Sequence, residues 1–170
     1  MTGIVCAYDL EGSYEYSFDR ELPGGTMQGK AVRYDDGKII GLITDTDKTD
    51  PLFKKGFPRY LLGSFHSLGF SFIKFDSMET YQSPIYWAFE KEGREYSGGW
   101  QPMRVSPFAF RLKTMPHLRA VSEIEMDPKL LYSFEQDFRN IITNARKVGR
   151  IGRLRVKESS LAETRAELRL

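Results

Sequence analysis

Tyr14, Tyr16 and Phe18 alternate with Ser13, Glu15 and Ser17. A repeat of two puts neighbouring side chains on opposite faces, the mark of a strand with one buried face. The pattern returns about every 8–12 residues as far as Lys113, with Gly and Pro between the runs. A chain written this way hides its apolar face in one of two ways: it rolls its strands into a cylinder, or it lays one sheet under a helix.

The alternation predicts strands over Ala7–Phe18, Thr26–Tyr34, Lys38–Thr44, Arg59–Ser67, Phe70–Phe75, Ile85–Lys91, Glu95–Gln101 and Pro107–Lys113. Leu22-Pro23-Gly24-Gly25 supplies turn chemistry, and Asp35-Asp36-Gly37 is the strongest hairpin signal, because Asp-Gly suits the twist of a tight turn. Consecutive strands with short turns favour up-and-down antiparallel order. Gly12, Gly29, Gly41, Gly63 and Gly98 sit in or beside predicted strands, where glycine weakens a sheet unless it bends or something packs on bare backbone. Repeated strand after strand, they point to closure. The polar, basic stretch Thr46–Pro58 reads as a lid at one mouth.

A helix follows the strands. Asp127 suits its N-cap and Pro128 its first turn. Leu131, Phe134, Phe138, Ile141, Ile142, Ala145 and Val148 recur at helical spacing, and Gly149 suits the C′ position. Ser160 and Glu163 form a capping box for a further short helix. The fold read from the sequence is mainly β: an eight-stranded up-and-down antiparallel barrel with a C-terminal α-helix. Its parts are a barrel over 1–125, a helix packed on it over 126–149 and a basic tail over 150–170.

The single cysteine, Cys6, excludes an internal disulfide and fits a reducing compartment. No apolar run reaches the ~18 residues of a membrane span, and the first ten residues lack the basic start of a secretory signal. The expectation is a cytoplasmic protein. Charge is uneven: residues 1–125 carry a net −2 and residues 126–170 a net +4. Arg146, Lys147, Arg150, Arg153, Arg155 and Lys157 fall in an acid-free run. Such a run either pairs with the acidic body or grips an anionic partner, nucleic acid or membrane, although it has no aromatic residue for base stacking.

Leu10-x-Gly12-x-Tyr14, Gly37-x-Ile39-x-Gly41-x-x-x-Asp45, Phe72-Ile73-Lys74-Phe75, Pro84-Ile85-x-Trp87 and Gly98-Gly99-Trp100 resemble recurring blocks of calycin-like barrels, the superfamily of lipocalins, fatty-acid-binding proteins and avidins. The resemblance spans about residues 8–112. It implies an eight-stranded barrel whose interior takes a hydrophobic small molecule. Tyr14 stands where the lipocalin motif has Trp, the usual disulfides are absent, and the basic extension is not typical.

Candidate ligand-binding residues are Tyr14, Tyr16, Phe18, Arg33, His66, Tyr96 and Trp100. The alternative is that such side chains simply fill a narrow barrel. Two histidines far apart and one cysteine give no metal spacing. Asp45, Asp47 and Asp50 lack the Gly and distal Glu of a calcium loop, and Ser71-x-x-Lys74 lies in a strand, which does not suit β-lactamase chemistry. No cofactor is implied. Three functions stay open. The first is non-enzymatic binding of a small, mostly apolar ligand. The second is an interaction or scaffold protein with a protein partner or a second copy. The third is a small barrel enzyme using Tyr with His or Arg in its pocket, for instance Arg33 with His66, which requires the groups in one cavity.

Overall fold

The computed structural model describes residues 3–16, 24–47, 57–76, 84–103, 107–125 and 128–170. Its strands are β1 (Ile4–Tyr16), β2 (Gly25–Tyr34), β3 (Lys38–Asp47), β4 (Phe57–His66), β5 (Gly69–Phe75), β6 (Ile85–Glu92) and β7 (Glu95–Pro102). Helices α1 (Pro107–Lys113), α2 (Leu118–Ser122) and α3 (Pro128–Lys147) follow, then β8 (Arg150–Ser159) and α4 (Leu161–Leu168). Each strand pairs antiparallel with the next, and β8 closes the barrel against β1 from Ala7↔Ser159 to Tyr16↔Arg150. The barrel and the C-terminal helix therefore stand as read from the sequence.

The identity of the eighth strand does not. Pro107–Lys113 is helix α1, and the closing strand is Arg150–Ser159, drawn from the segment expected to be a basic tail. Two periodicities compete in 107–113. Phe108, Phe110 and Leu112 alternate, but Ala109 and Leu112, three apart, are the buried pair, and Phe110 is 63% exposed. Pro107 opens a helix, where its missing N–H costs nothing. In β8 the alternation was hidden by charge: Leu154 and Val156 turn inward while Arg153, Arg155 and Lys157 face solvent. A strand needs only one apolar face.

Two layers of core follow from this wall. Inside it, Leu10, Met27, Ala31, Ile39, Ile43, Leu61, Phe70, Phe72, Trp87, Phe89 and Leu154 fill the middle. Glycines make room for the rings: at Gly152 a Cβ would sit 2.8 Å from Trp87 Cζ3 and 3.3 Å from Phe89 Cε1. Outside it, Val32, Ile40, Leu62, Ile73 and Phe75 pack under α1, α2 and α4, with Leu112, Leu118, Val121 and Leu168. That accounts for the apolar character of both faces of β3. On the other side Phe138, Ile141 and Ile142 of α3 cover Ala88. Gly149 ends α3 with φ +72°, and the Ser160 hydroxyl accepts the Glu163 amide at 3.3 Å, as their positions predict. Asp127 lies outside the described residues.

The two ends of the barrel differ. At one, tight turns at Asp35–Gly37, Ser67–Leu68 and Gly93 join the strands, with Gly37 at φ +94°. From the other leave the connections 17–23, 48–56, 77–83 and 104–106, the first three of them longer than the tight turns. They lie outside the described residues, and with them Phe18 and most of the expected Thr46–Pro58 lid. Among the described residues no helix is long and apolar enough to cross a membrane.

Candidate functional site

Every strand brings inward side chains to the end with the long connections, among them Tyr14 (β1), Met27 (β2), Asp45 (β3), Arg59 (β4), Lys74 (β5), Trp87 (β6), Trp100 (β7) and Arg150 (β8). Alternation along each strand sets this direction. On β5, for example, Phe70 and Phe72 point inward, so Lys74 does too.

Three of these are buried charges. Lys74 Nζ donates to Asp45 Oδ1 at 2.8 Å, and Arg59 Nη1 lies 3.7 Å from Asp45 Oδ2. Side-chain exposures are 2% for Lys74, 4% for Asp45 and 1% for Arg59. Lys74 Nζ also stands 4.7 Å from the Trp87 ring centre and 5.5 Å from that of Tyr14, so ring faces share in stabilising the ammonium. From Trp87 the contacts run on. Its ring centre is 5.7 Å from Tyr14 and 6.0 Å from Trp100. Tyr16 meets Trp100 edge-on at 5.6 Å, and the Arg150 guanidinium lies 4.9 Å over Trp100.

The polar atoms of this end are unevenly matched. Among the described residues, Arg59 Nε and Nη2, Trp87 Nε1, Trp100 Nε1 and Arg150 Nε are buried donors without a hydrogen-bond acceptor. Among those same described residues such donors outnumber the acceptors in that condition. Buried polar groups are nearly always paired, so an excess of donors collected at one end calls for an explanation.

The opposite end is plugged. Arg33 lies over the rings of Tyr8 (5.9 Å) and Phe65 (5.2 Å), and Tyr96 meets Phe65 at 6.5 Å. The Cys6 thiol donates to the Tyr8 hydroxyl at 3.2 Å, and burial is the main cause that raises the Tyr8 pKa. Burial raises that of Tyr96 as well.

The structure thus divides the residues singled out from the sequence. Tyr14, Tyr16 and Trp100 stand together at one end, and Arg33 and Tyr96 stand at the other. His66 is on neither, because it faces outward beneath α3. The Leu68 amide donates to its Nδ1 at 3.2 Å, so Nε2 carries the proton that it shares with Ser71 Oγ at 3.1 Å. Its ring meets Phe138 edge-on at 5.0 Å. Arg33 and His66 are on opposite faces of the wall, which removes the expected Arg33–His66 pair. His117 caps α2, its Nδ1 accepting the Ala120 amide at 3.1 Å. Of the expected anionic-partner residues, Arg146 pairs with Glu90 at 2.8 Å and Arg155 with Glu95 at 3.1 Å, while Arg150 turns inward and Arg153 and Lys147 are exposed.

Asp45, Arg59, Lys74, Trp87 and Met27 were missed as site residues. A signal was present for Lys74, since a charge in register with Phe70 and Phe72 falls on the core face. Among the described residues no three His, Cys, Asp or Glu gather to hold a metal ion. The chain matches no protein-family model, no curated protein and no solved structure.

Proposed function

We propose that this chain is a non-enzymatic barrel of calycin-like type that binds a small, ring-bearing molecule at the end formed by Tyr14, Tyr16, Trp87 and Trp100. The observation that carries the reading is that cluster of rings, set against buried donors in need of acceptors. Sites for small molecules combine apolar walls with a few placed polar groups. Side chains fill the middle of the barrel, so the ligand sits at one end rather than along the axis. The other two functions have less support. The chain's own helices cover the outer apolar faces of β3 and β6, which leaves a scaffold less to dock on. An enzyme built on Arg33 and His66 has no shared cavity. A cytoplasmic location fits the free Cys6 thiol.

Native mass spectrometry of freshly purified full-length protein tests the reading. The expected result is extra mass that disappears on denaturation. A bare chain, together with no response of Trp87 or Trp100 to a panel of aromatic metabolites, overturns it. Size exclusion with light scattering bears on the scaffold alternative, which needs a stable dimer or a defined partner.

A further inference from the structure

We infer that the ligand carries an oxyanion, carboxylate or phosphate, and that the Nε–Nη2 edge of Arg59 holds it. The inference rests on the binding reading above and specifies its chemistry. Arg59 uses Nη1 towards Asp45, which leaves Nε and Nη2, its two parallel donors, buried and without acceptors. That edge matches the spacing of two oxygens on one carboxylate or phosphate and binds them bidentately. A guanidinium cannot solve its problem by losing a proton, so the missing acceptors must come from elsewhere.

The surroundings agree. Asp45 is committed to Lys74 at 2.8 Å and stands farther, at 3.7 Å, from Arg59. Among the described inward side chains of this end, Asp45 and Asp76 together offset Arg59 and Lys74 in formal charge, and Arg150 adds one positive charge to the rim. Among the described residues the shortage at this end is therefore one of acceptors, with a small positive excess; an oxyanion supplies the acceptors and offsets the charge. The indole N–H groups of Trp87 and Trp100 and Nε of Arg150 remain for other acceptors on the same molecule. The rings of Tyr14, Tyr16 and Trp100 flank its body.

The chain has two tryptophans, and both belong to this site. Their indole N–H signals in a nitrogen–proton correlation spectrum therefore report on it directly. Full-length protein is titrated with benzoate, with inorganic phosphate, and with neutral benzyl alcohol, at constant ionic strength set with chloride. The expected result is saturable movement of both indole signals with benzoate or phosphate. Affinity falls about tenfold or more in Arg59→Lys, which keeps the charge beside Asp45 but loses the forked edge. Arg150→Gln, at a half-buried position, weakens binding independently should Arg59→Lys fold poorly. Arg153→Gln/Arg155→Gln, on the outer face, leaves binding unchanged.

The remaining outcomes each uphold or overturn the inference. If benzyl alcohol binds as well as benzoate, the site accepts rings without an oxyanion, and the binding reading survives alone. If phosphate binding is lost in the Arg153/Arg155 variant and kept in Arg59→Lys and Arg150→Gln, the anion sits on the surface. If no probe binds, the molecule found by native mass spectrometry decides. A carboxylate or phosphate on it upholds the inference, a neutral molecule overturns it, and finding no molecule overturns inference and reading together.

Discussion

Asp45→Asn tests the electrostatics of the site at its most sensitive point. In the native protein one carboxylate faces two cations, at 2.8 Å from Lys74 and 3.7 Å from Arg59, and all three side chains are at most 4% exposed. Taking one member from a buried ion cluster costs about 3–5 kcal/mol, because it strands a charge in a poor solvent. For a chain of this size that lowers Tm by about 6–20 °C. Lys74→Met is the informative comparison. It leaves one anion and one cation, Asp45 and Arg59, and a side chain of similar length. Its cost is about 1–3 kcal/mol, that of the lost hydrogen bond to a charged group. Asp45→Asn instead leaves two cations, of which only Lys74 can shed its charge by losing a proton. Asp76 is unchanged in both variants and cancels in the difference. Urea unfolding, followed by tryptophan fluorescence and by circular dichroism, gives the two free energies. Asp45→Asn is expected to lose more than Lys74→Met by at least about 1 kcal/mol. Equal losses, or a loss below about 1 kcal/mol for Asp45→Asn, would refute the reasoning, since the cluster would then behave like a solvated surface pair.

Three further outcomes are expected. Gly152→Val places methyl groups against Trp87 and Phe89, where even a Cβ would lie 2.8 Å from the indole, and costs about 1–3 kcal/mol or more in urea unfolding. Lys38 donates from its buried ammonium to the Ser122 and Ile124 carbonyls at 3.0 and 3.2 Å, tying α2 to the barrel. Lys38→Met leaves those carbonyls unsatisfied, costs about 1–3 kcal/mol and speeds amide exchange over residues 118–125 relative to β5. The third outcome concerns alkaline pH. Burial is the main cause holding the pKa values of Tyr8, Tyr34, Tyr60, Tyr86 and Tyr96 above the ordinary 10.0. Above pH 10 the native state therefore keeps protons that the unfolded chain releases. This contribution to stability is complete below pH 10 and is lost as pH rises beyond it. Tyrosinate absorbance should lag in native protein and jump on unfolding; a native titration matching that of free tyrosine would contradict this.

The barrel was legible because its signals are local. Alternation, the Asp36-Gly37 turn and the glycines at 12, 29, 41, 63 and 98 each constrain a few residues, and all agree on closure. The eighth strand was not legible, because a strand with Arg153, Arg155 and Lys157 on its outer face looks like a charged tail until its partners are known. Those partners, β1 and β7, lie far away in sequence, and β1 opposes Glu11 to Arg155 and Asp9 to Lys157. Phe108 and Phe110 misled in the opposite sense, since two rings in alternation satisfy a strand pattern that one turn of helix can also produce. Alternation alone put Tyr14, Tyr16 and Trp100 on inward faces, and the structure brings them together at one end. The ion cluster was not legible, because Asp45, Arg59 and Lys74 are ordinary surface residue types, and only the closure of β3, β4 and β5 brings them together. His66 shows the same limit, as sequence places it one residue from an inward Phe65 but does not reveal the helix that covers it.

The most direct measurement is the indole region of the nitrogen–proton correlation spectrum of full-length protein, recorded as purified, after ligand-stripping under denaturing conditions and refolding, and after adding back the extracted small-molecule fraction. Trp87 and Trp100 should each move on stripping and return on adding back, while backbone signals around Arg33 and Tyr96 at the plugged end stay in place. Indole signals indifferent to the extract, or movement confined to the Arg33 end, would contradict a binding site among the rings of Tyr14, Tyr16, Trp87 and Trp100.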